Sequence, residues 1–195
     1  MTRRDLLNYV LATSAWVMAS GHAPYNQWRV YRQAHLLILT HKQDPASFLK
    51  AKKLAAMIAQ RLPDSRAQVS LAPDRQRVAS LIASRQIEVA LLTPDEARDL
   101  NAGEAPMAGA GPVPIRVIAS FGDYVLVGHA AFPEHHAYLL AEAIAGLGAE
   151  LAPELRLAGS AGAAADLAGH PGALAFEQGQ KLPELSAEPA APATR

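Results

Sequence analysis

Apolar positions along this chain follow two periods, and the switches between them mark its elements. His35 to Thr40 (HLLILT) is apolar without alternation. Such a run predicts a strand buried on both faces, central in a parallel sheet. His41-Lys42-Gln43-Asp44-Pro45 breaks the run. Asp44 suits the cap of a helix and Pro45 its first turn. Phe48, Ala51, Ala55, Ile58 and Leu62 then recur at three and four, an amphipathic helix stripe that ends at Leu62-Pro63-Asp64. Ala67 to Leu71 alternates and predicts an edge strand. Pro73-Asp74 opens a second helix, with Val78, Leu81 and Ile82 on one face. Glu88 to Leu92 is a third strand, again unalternating. Thr93-Pro94-Asp95-Glu96 carries three start signals: a capping hydroxyl, a proline at the first position and a capping-box glutamate.

Three strand-helix repeats at this spacing predict right-handed crossovers and a mostly parallel sheet. Ala102 to Pro114 is a loop dense in Gly and Pro. Ile115 to Ser120 and Tyr124 to Val127 are two more strands, joined at Phe121-Gly122-Asp123 by a hairpin or sharp reversal. Pro133 to Leu147 is a helix with Leu140, Ala143, Ile144 and Leu147 inward. Beyond Gly148 the chain is Ala/Gly-rich and weakly patterned, with a short apolar piece, Ala173 to Phe176, that packs back. Leu182 to Arg195 is Pro/Ala-rich and expected to be disordered. The expected fold class is α/β: a single three-layer lobe with a mostly parallel sheet.

The amino terminus adds a location. Arg3-Arg4, an uncharged run from Leu6 to Met18, and small residues from Ala19 to Ala23 make the three-part layout of an export signal. Paired arginines followed by leucines match a twin-arginine address. Residues 1–23 are therefore expected to be an export signal, 24–178 one lobe and 179–195 a tail, with the mature protein periplasmic. The apolar run falls short of the roughly 20 residues that span a bilayer, so no membrane span is expected in the mature chain. Composition narrows the chemistry further. Among 195 residues there is no cysteine, which excludes disulfides and thiolate metal sites. Net charge is zero and no basic stripe suggests nucleic acid.

Several segments together resemble a known family. Leu81 to Thr93 (LIASRQIEVALLT) is similar to a helix, turn and strand in the first lobe of type II periplasmic solute-binding proteins. There the pattern reads leucine, x, x, glycine or polar, x, isoleucine, aspartate, valine, alanine. Within that group the chain resembles the TAXI family, the solute-binding subunits of TRAP transporters. Tyr124 to Val127, the segment Ala131 to Leu140 and the turn His170-Pro171-Gly172-Ala173 carry the likeness further. The resemblance spans about Leu36 to Phe176. It implies a periplasmic-binding-protein-like fold that recognises a small solute without catalysis. Two features depart from the pattern. Thr40 to Asp44 stands where the family has a glycine-rich loop, and only Phe121-Gly122-Asp123 stands where it has a second lobe.

Ligands of open parallel sheets sit beyond the carboxyl ends of the strands, where helix N-termini point. That places Thr40, Asp44 and Ser47 on one rim loop, Asp74 and Arg77 on the next, and Thr93 and Asp95 on the third. These are the candidate ligand-binding residues, with Arg77 able to pair with a carboxylate. Asp44 and Thr93 also suit plain helix capping. Three aspartates favour a polar, cationic or metal-chelated ligand over an anion. Of seven histidines, His135 and His136 are adjacent and cannot face one point on a helix. His41 and His129 each follow a strand and would make a metal pair only if the strand order brings them together. No Gly-x-Ser-x-Gly elbow occurs. No catalytic residue, metal ligand or cofactor is expected. Two functions stay open. One is an exported solute-binding protein for a TRAP-type transporter, with a homodimer able to replace the missing lobe. The other is a periplasmic accessory protein that grips a protein partner through one lobe, using Phe121, Tyr124 and Phe132 if they are exposed.

Overall fold

In the computed structural model, residues 35–147, 155–157 and 166–182 are described. The expected signal at 1–23, the lead up to residue 34 and the tail from residue 183 lie outside them. The predicted elements form close to the predicted places. β1 (Leu37–His41) leads through Asp44 into α1 (Pro45–Arg61). β2 (Gln68–Ala72) precedes α2 (Arg75–Ala83), and β3 (Val89–Leu92) precedes α3 (Pro94–Ala102). β4 (Ile115–Phe121) and β5 (Tyr124–His129) are followed by α4 (Glu134–Gly146). A short β6 (Leu155–Leu157) and α5 (Pro171–Glu177) complete the set. β6 lies in the Ala/Gly-rich stretch where the patterning predicts nothing regular.

The sheet runs β2-β1-β3-β5-β4-β6. β1 is parallel to both β2 and β3. β5 is antiparallel to β3 and to β4, and β6 is antiparallel to β4. The fold is α/β, but the expectation of a mostly parallel sheet is corrected to a mixed one. The cause is the reversal at Gly122-Asp123. Phe121 pairs directly with Tyr124, so two residues turn the chain, and a turn that short joins only antiparallel strands. Gly122 takes φ +60 there, a backbone region open to glycine at little cost. β2 holds the outer position that its alternation predicts.

Helices cover both faces. On one, Leu54, Ala55 and Ile58 of α1 and Ala137, Leu140 and Ile144 of α4 pack on Ile38, Leu91, Ile118 and Leu126. On the other, Val78, Ala79 and Ile82 of α2 and Ala97 and Leu100 of α3 pack on Leu39, Ala90, Leu92 and Val127. Each buried leucine or isoleucine contributes about 1.5–3 kcal/mol relative to exposure. These two cores fix where the strand ends sit.

The His170-Pro171-Gly172-Ala173 turn is a latch between α5 and the rest. The His170 N–H donates to the Val117 carbonyl at 2.7 Å. The buried ring then makes two bonds: Nε2 lies 3.1 Å from the Phe132 carbonyl, and Nδ1 accepts from the Gly172 N–H at 3.4 Å. A Cβ at position 172 would stand 1.8 Å from the Glu134 carbonyl oxygen. Only glycine lets α5 approach α4 this closely.

Candidate functional site

The helix starts are set by local chemistry. Asp44 Oδ1 accepts from the N–H groups of Ala46 and Ser47, at 3.1 and 3.2 Å. Asp74 accepts from the Arg77 N–H at 2.7 Å. Thr93 Oγ1 accepts from the Glu96 N–H, and Glu96 Oε2 accepts from the Thr93 N–H at 3.2 Å, a complete capping box. These caps bring α1, α2 and α3 to begin at the carboxyl ends of β1, β2 and β3.

Beside those ends lies an open cleft of about 530 Å³, lined by Gln43, Asp44, Arg75, Thr93, Asp95, Glu96, Asp99 and Pro106. Of the expected ligand-binding residues, Asp44, Thr93 and Asp95 meet there. Ser47 does not: it is buried, and its hydroxyl donates to the Asp44 carbonyl. Asp74 caps α2 outside the lining. Arg77 is exposed and also outside it. The helical turn instead directs Arg75, two residues earlier, toward the cleft. Thr40 is fully buried in β1 behind the rim.

Patterning reads Glu96 only as a cap, yet it is the hub of the site. It is 5% exposed. His41 Nε2 lies 3.0 Å from Glu96 Oε1, and Arg75 Nε donates to the same oxygen at 2.6 Å. Arg75 also reaches Gln43 Oε1 at 3.2 Å. Burial alone would raise the Glu96 carboxyl. The bonds from His41, Arg75 and the Thr93 N–H outweigh it and bring the carboxyl down to about 2. His41, Arg75 and Gln43 are invisible as a group in sequence, because β1, α2 and α3 supply them separately. The available hint is a histidine closing an otherwise apolar strand.

Four carboxylates (Asp44, Asp95, Glu96, Asp99) face the cleft against the single guanidinium of Arg75. Glu96 is neutralised by Arg75. Asp95 pairs with Arg98 along α3. Asp44 gives its Oδ1 to the α1 cap. Among the described residues, three buried side-chain polar atoms have no hydrogen-bond partner: Thr40 Oγ1, His41 Nδ1 and Asp44 Oδ2. All three fall within five residues at the end of β1. The Tyr124 hydroxyl is pushed up to about 12, first by burial and then by the neighbouring Asp44 carboxylate. The hydroxyl leans on that carboxylate as a hydrogen-bond donor, which is the second contribution to its rise. Lys50 Nζ stands 4.8 Å from the Tyr124 ring centre.

His41 and His129 do not meet. β5 runs against β3, so His129 sits opposite the start of β3 while His41 lies at the far end of the sheet. Among the described residues, no three His, Asp or Glu side chains converge as a metal-ion site. No described helix is long and apolar enough to cross a membrane. Of the aromatic partner patch, Tyr124 and Phe132 are each 8% exposed and packed in the core, and Phe121 is partly buried against it. No protein-family model matches the chain, and no curated protein matches it either.

Proposed function

We propose that this chain is an exported, single-lobe solute-binding protein akin to TAXI-type TRAP receptors. It holds a small, polar organic compound bearing a cationic amine at the cleft beyond β1 and β3. The reading rests on one observation above the others: the buried, unpartnered polar atoms gather at the end of β1, beside an acidic rim. Folded proteins seldom leave such groups unsatisfied, and each costs about 1–3 kcal/mol. A donor-rich ligand at Asp44 Oδ2 offsets part of that cost. An ammonium group also answers the surplus of carboxylates, which would repel an anion.

The reading has no catalytic step. The Thr93 hydroxyl is occupied in a cap, and His41 is buried against Glu96. The accessory-protein alternative loses its contact patch, since Tyr124 and Phe132 are core residues. Titration of the purified chain with small primary and quaternary amines, alongside mono- and dicarboxylates, tests the proposal. Amines should raise the melting temperature and carboxylates should not. Asp44→Asn retains the capping oxygen and should weaken amine binding about tenfold or more, the loss of one charge-assisted bond. No response to any amine, or a preference for carboxylates, would overturn it.

A further inference from the structure

Charge along α1 is of one sign. Across 17 residues α1 carries Lys50, Lys52, Lys53 and Arg61 and no Asp or Glu, although the chain has 18 basic and 18 acidic residues. Leu49 is 66% exposed, the most exposed large apolar side chain among the described residues. Lys52 and Lys53 follow it at three and four places, so the three side chains share one helix surface. Both lysines are exposed. Lys50 is set apart, over the Tyr124 ring. The cleft is the reverse surface: open, and rich in carboxylates. The two adjoin one end of the lobe, since Asp44 both caps α1 and lines the cleft.

We infer that two copies of this chain pair about a two-fold axis beside that end, each seating Leu49, Lys52 and Lys53 over the other's cleft. Such a contact is isologous: one operation satisfies both patches and the assembly closes at two. Direct apposition of the two clefts would set carboxylates against carboxylates. The offset pairing sets Lys52 and Lys53 against Asp95 and Asp99 instead. An acidic foreign protein or an anionic bilayer would also attract the lysine face. Neither accounts for the complementary cleft on the same chain, which a second copy supplies. In one respect the inference rests on the proposed function: a partner's lysines seated over the cleft and an amine solute at Asp44 occupy the same opening, so solute separates the pair.

Sedimentation equilibrium on the full chain tests this. Wild type at roughly 200 µM should show twice the single-chain mass at about 50 mM salt and the single-chain mass at about 500 mM, where charges are screened within a few ångströms. Lys52→Glu/Lys53→Glu should be monomeric at both. Mixing it with Asp95→Lys/Asp99→Lys should restore the twofold mass. A monomeric wild type at low salt overturns the inference. So does a dimer unaffected by the lysine changes, or a monomer whose lysine face captures only anionic vesicles. A charge-dependent dimer that no amine dissociates supports the pairing and counts against the solute reading alone.

Discussion

The His170 ring makes two hydrogen bonds, and the one that Nδ1 accepts requires it to be neutral. Nδ1 accepts from Gly172, so Nε2 carries the proton given to the Phe132 carbonyl. A second proton on Nδ1 would oppose the Gly172 N–H. Burial drives the ring down to about 4 from an ordinary 6.5, with Arg116 adding to it and the Phe132 carbonyl opposing. The unfolded chain therefore binds the proton first as pH falls. His170 contributes stability that is fully present above pH 6.5 and is lost as pH drops towards 4. The gap is worth about 3 kcal/mol. His129 and His136 are also lowered, chiefly by burial, so they too favour the folded state less as pH falls below 6.5. His170→Asn keeps a capping side chain without a titrating ring. Its melting temperature should fall less steeply than wild type between pH 6.5 and 4; parallel curves would contradict this account. At the same scale, the candidate site was only partly legible. Asp44, Thr93 and Asp95 announce themselves because capping is local. Arg75 and Arg77 look equivalent until the helix phase is known. The role of Glu96 depends on His41, 55 residues away.

At the scale of elements, the closest fit in the fold is where α5 meets α4. Gly172 sits against the Glu134 carbonyl with no space for a methyl group. Gly172→Ala should cost about 1–3 kcal/mol, read as a lower urea midpoint, and should loosen α5 first in hydrogen exchange. An unchanged midpoint would mean the helices shift apart freely. The elements up to α3 could be read directly, since apolar runs, prolines and capping side chains within a few residues decide each boundary. Strand direction could be read only at Phe121-Gly122-Asp123, where the predicted reversal pairs β4 with β5 antiparallel. The insertion of β5 beside β3, through pairings such as Leu92 with Val125, has no local pattern that encodes it. β6 is three residues long in an Ala/Gly-rich stretch, too short to show a period.

For the whole molecule, the expectation with the widest reach is location. Arg3 and Arg4 define the proposed export address. Changing both to lysine should leave the precursor in the cytoplasm of a bacterial host, measured by fractionation and blotting. Continued export of that variant would remove the twin-arginine route, and a wild-type chain retained in the cytoplasm would remove the periplasmic assignment, either result leaving the cleft chemistry intact. Within the lobe, a core on each face of the sheet holds the strand ends. The cleft is thus framed by rigid elements even though one side of it is open.

The closure of β4 onto β5 bears on how such a lobe could be enlarged. Phe121 and Tyr124 are direct partners across the ladder, which holds their Cα atoms only about 4.5–5.5 Å apart. A guest module whose own termini lie side by side could be spliced in place of Gly122-Asp123, leaving every other pairing untouched. The hairpin tip is in that sense a ready-made graft point, from which a roof over the binding face could be engineered.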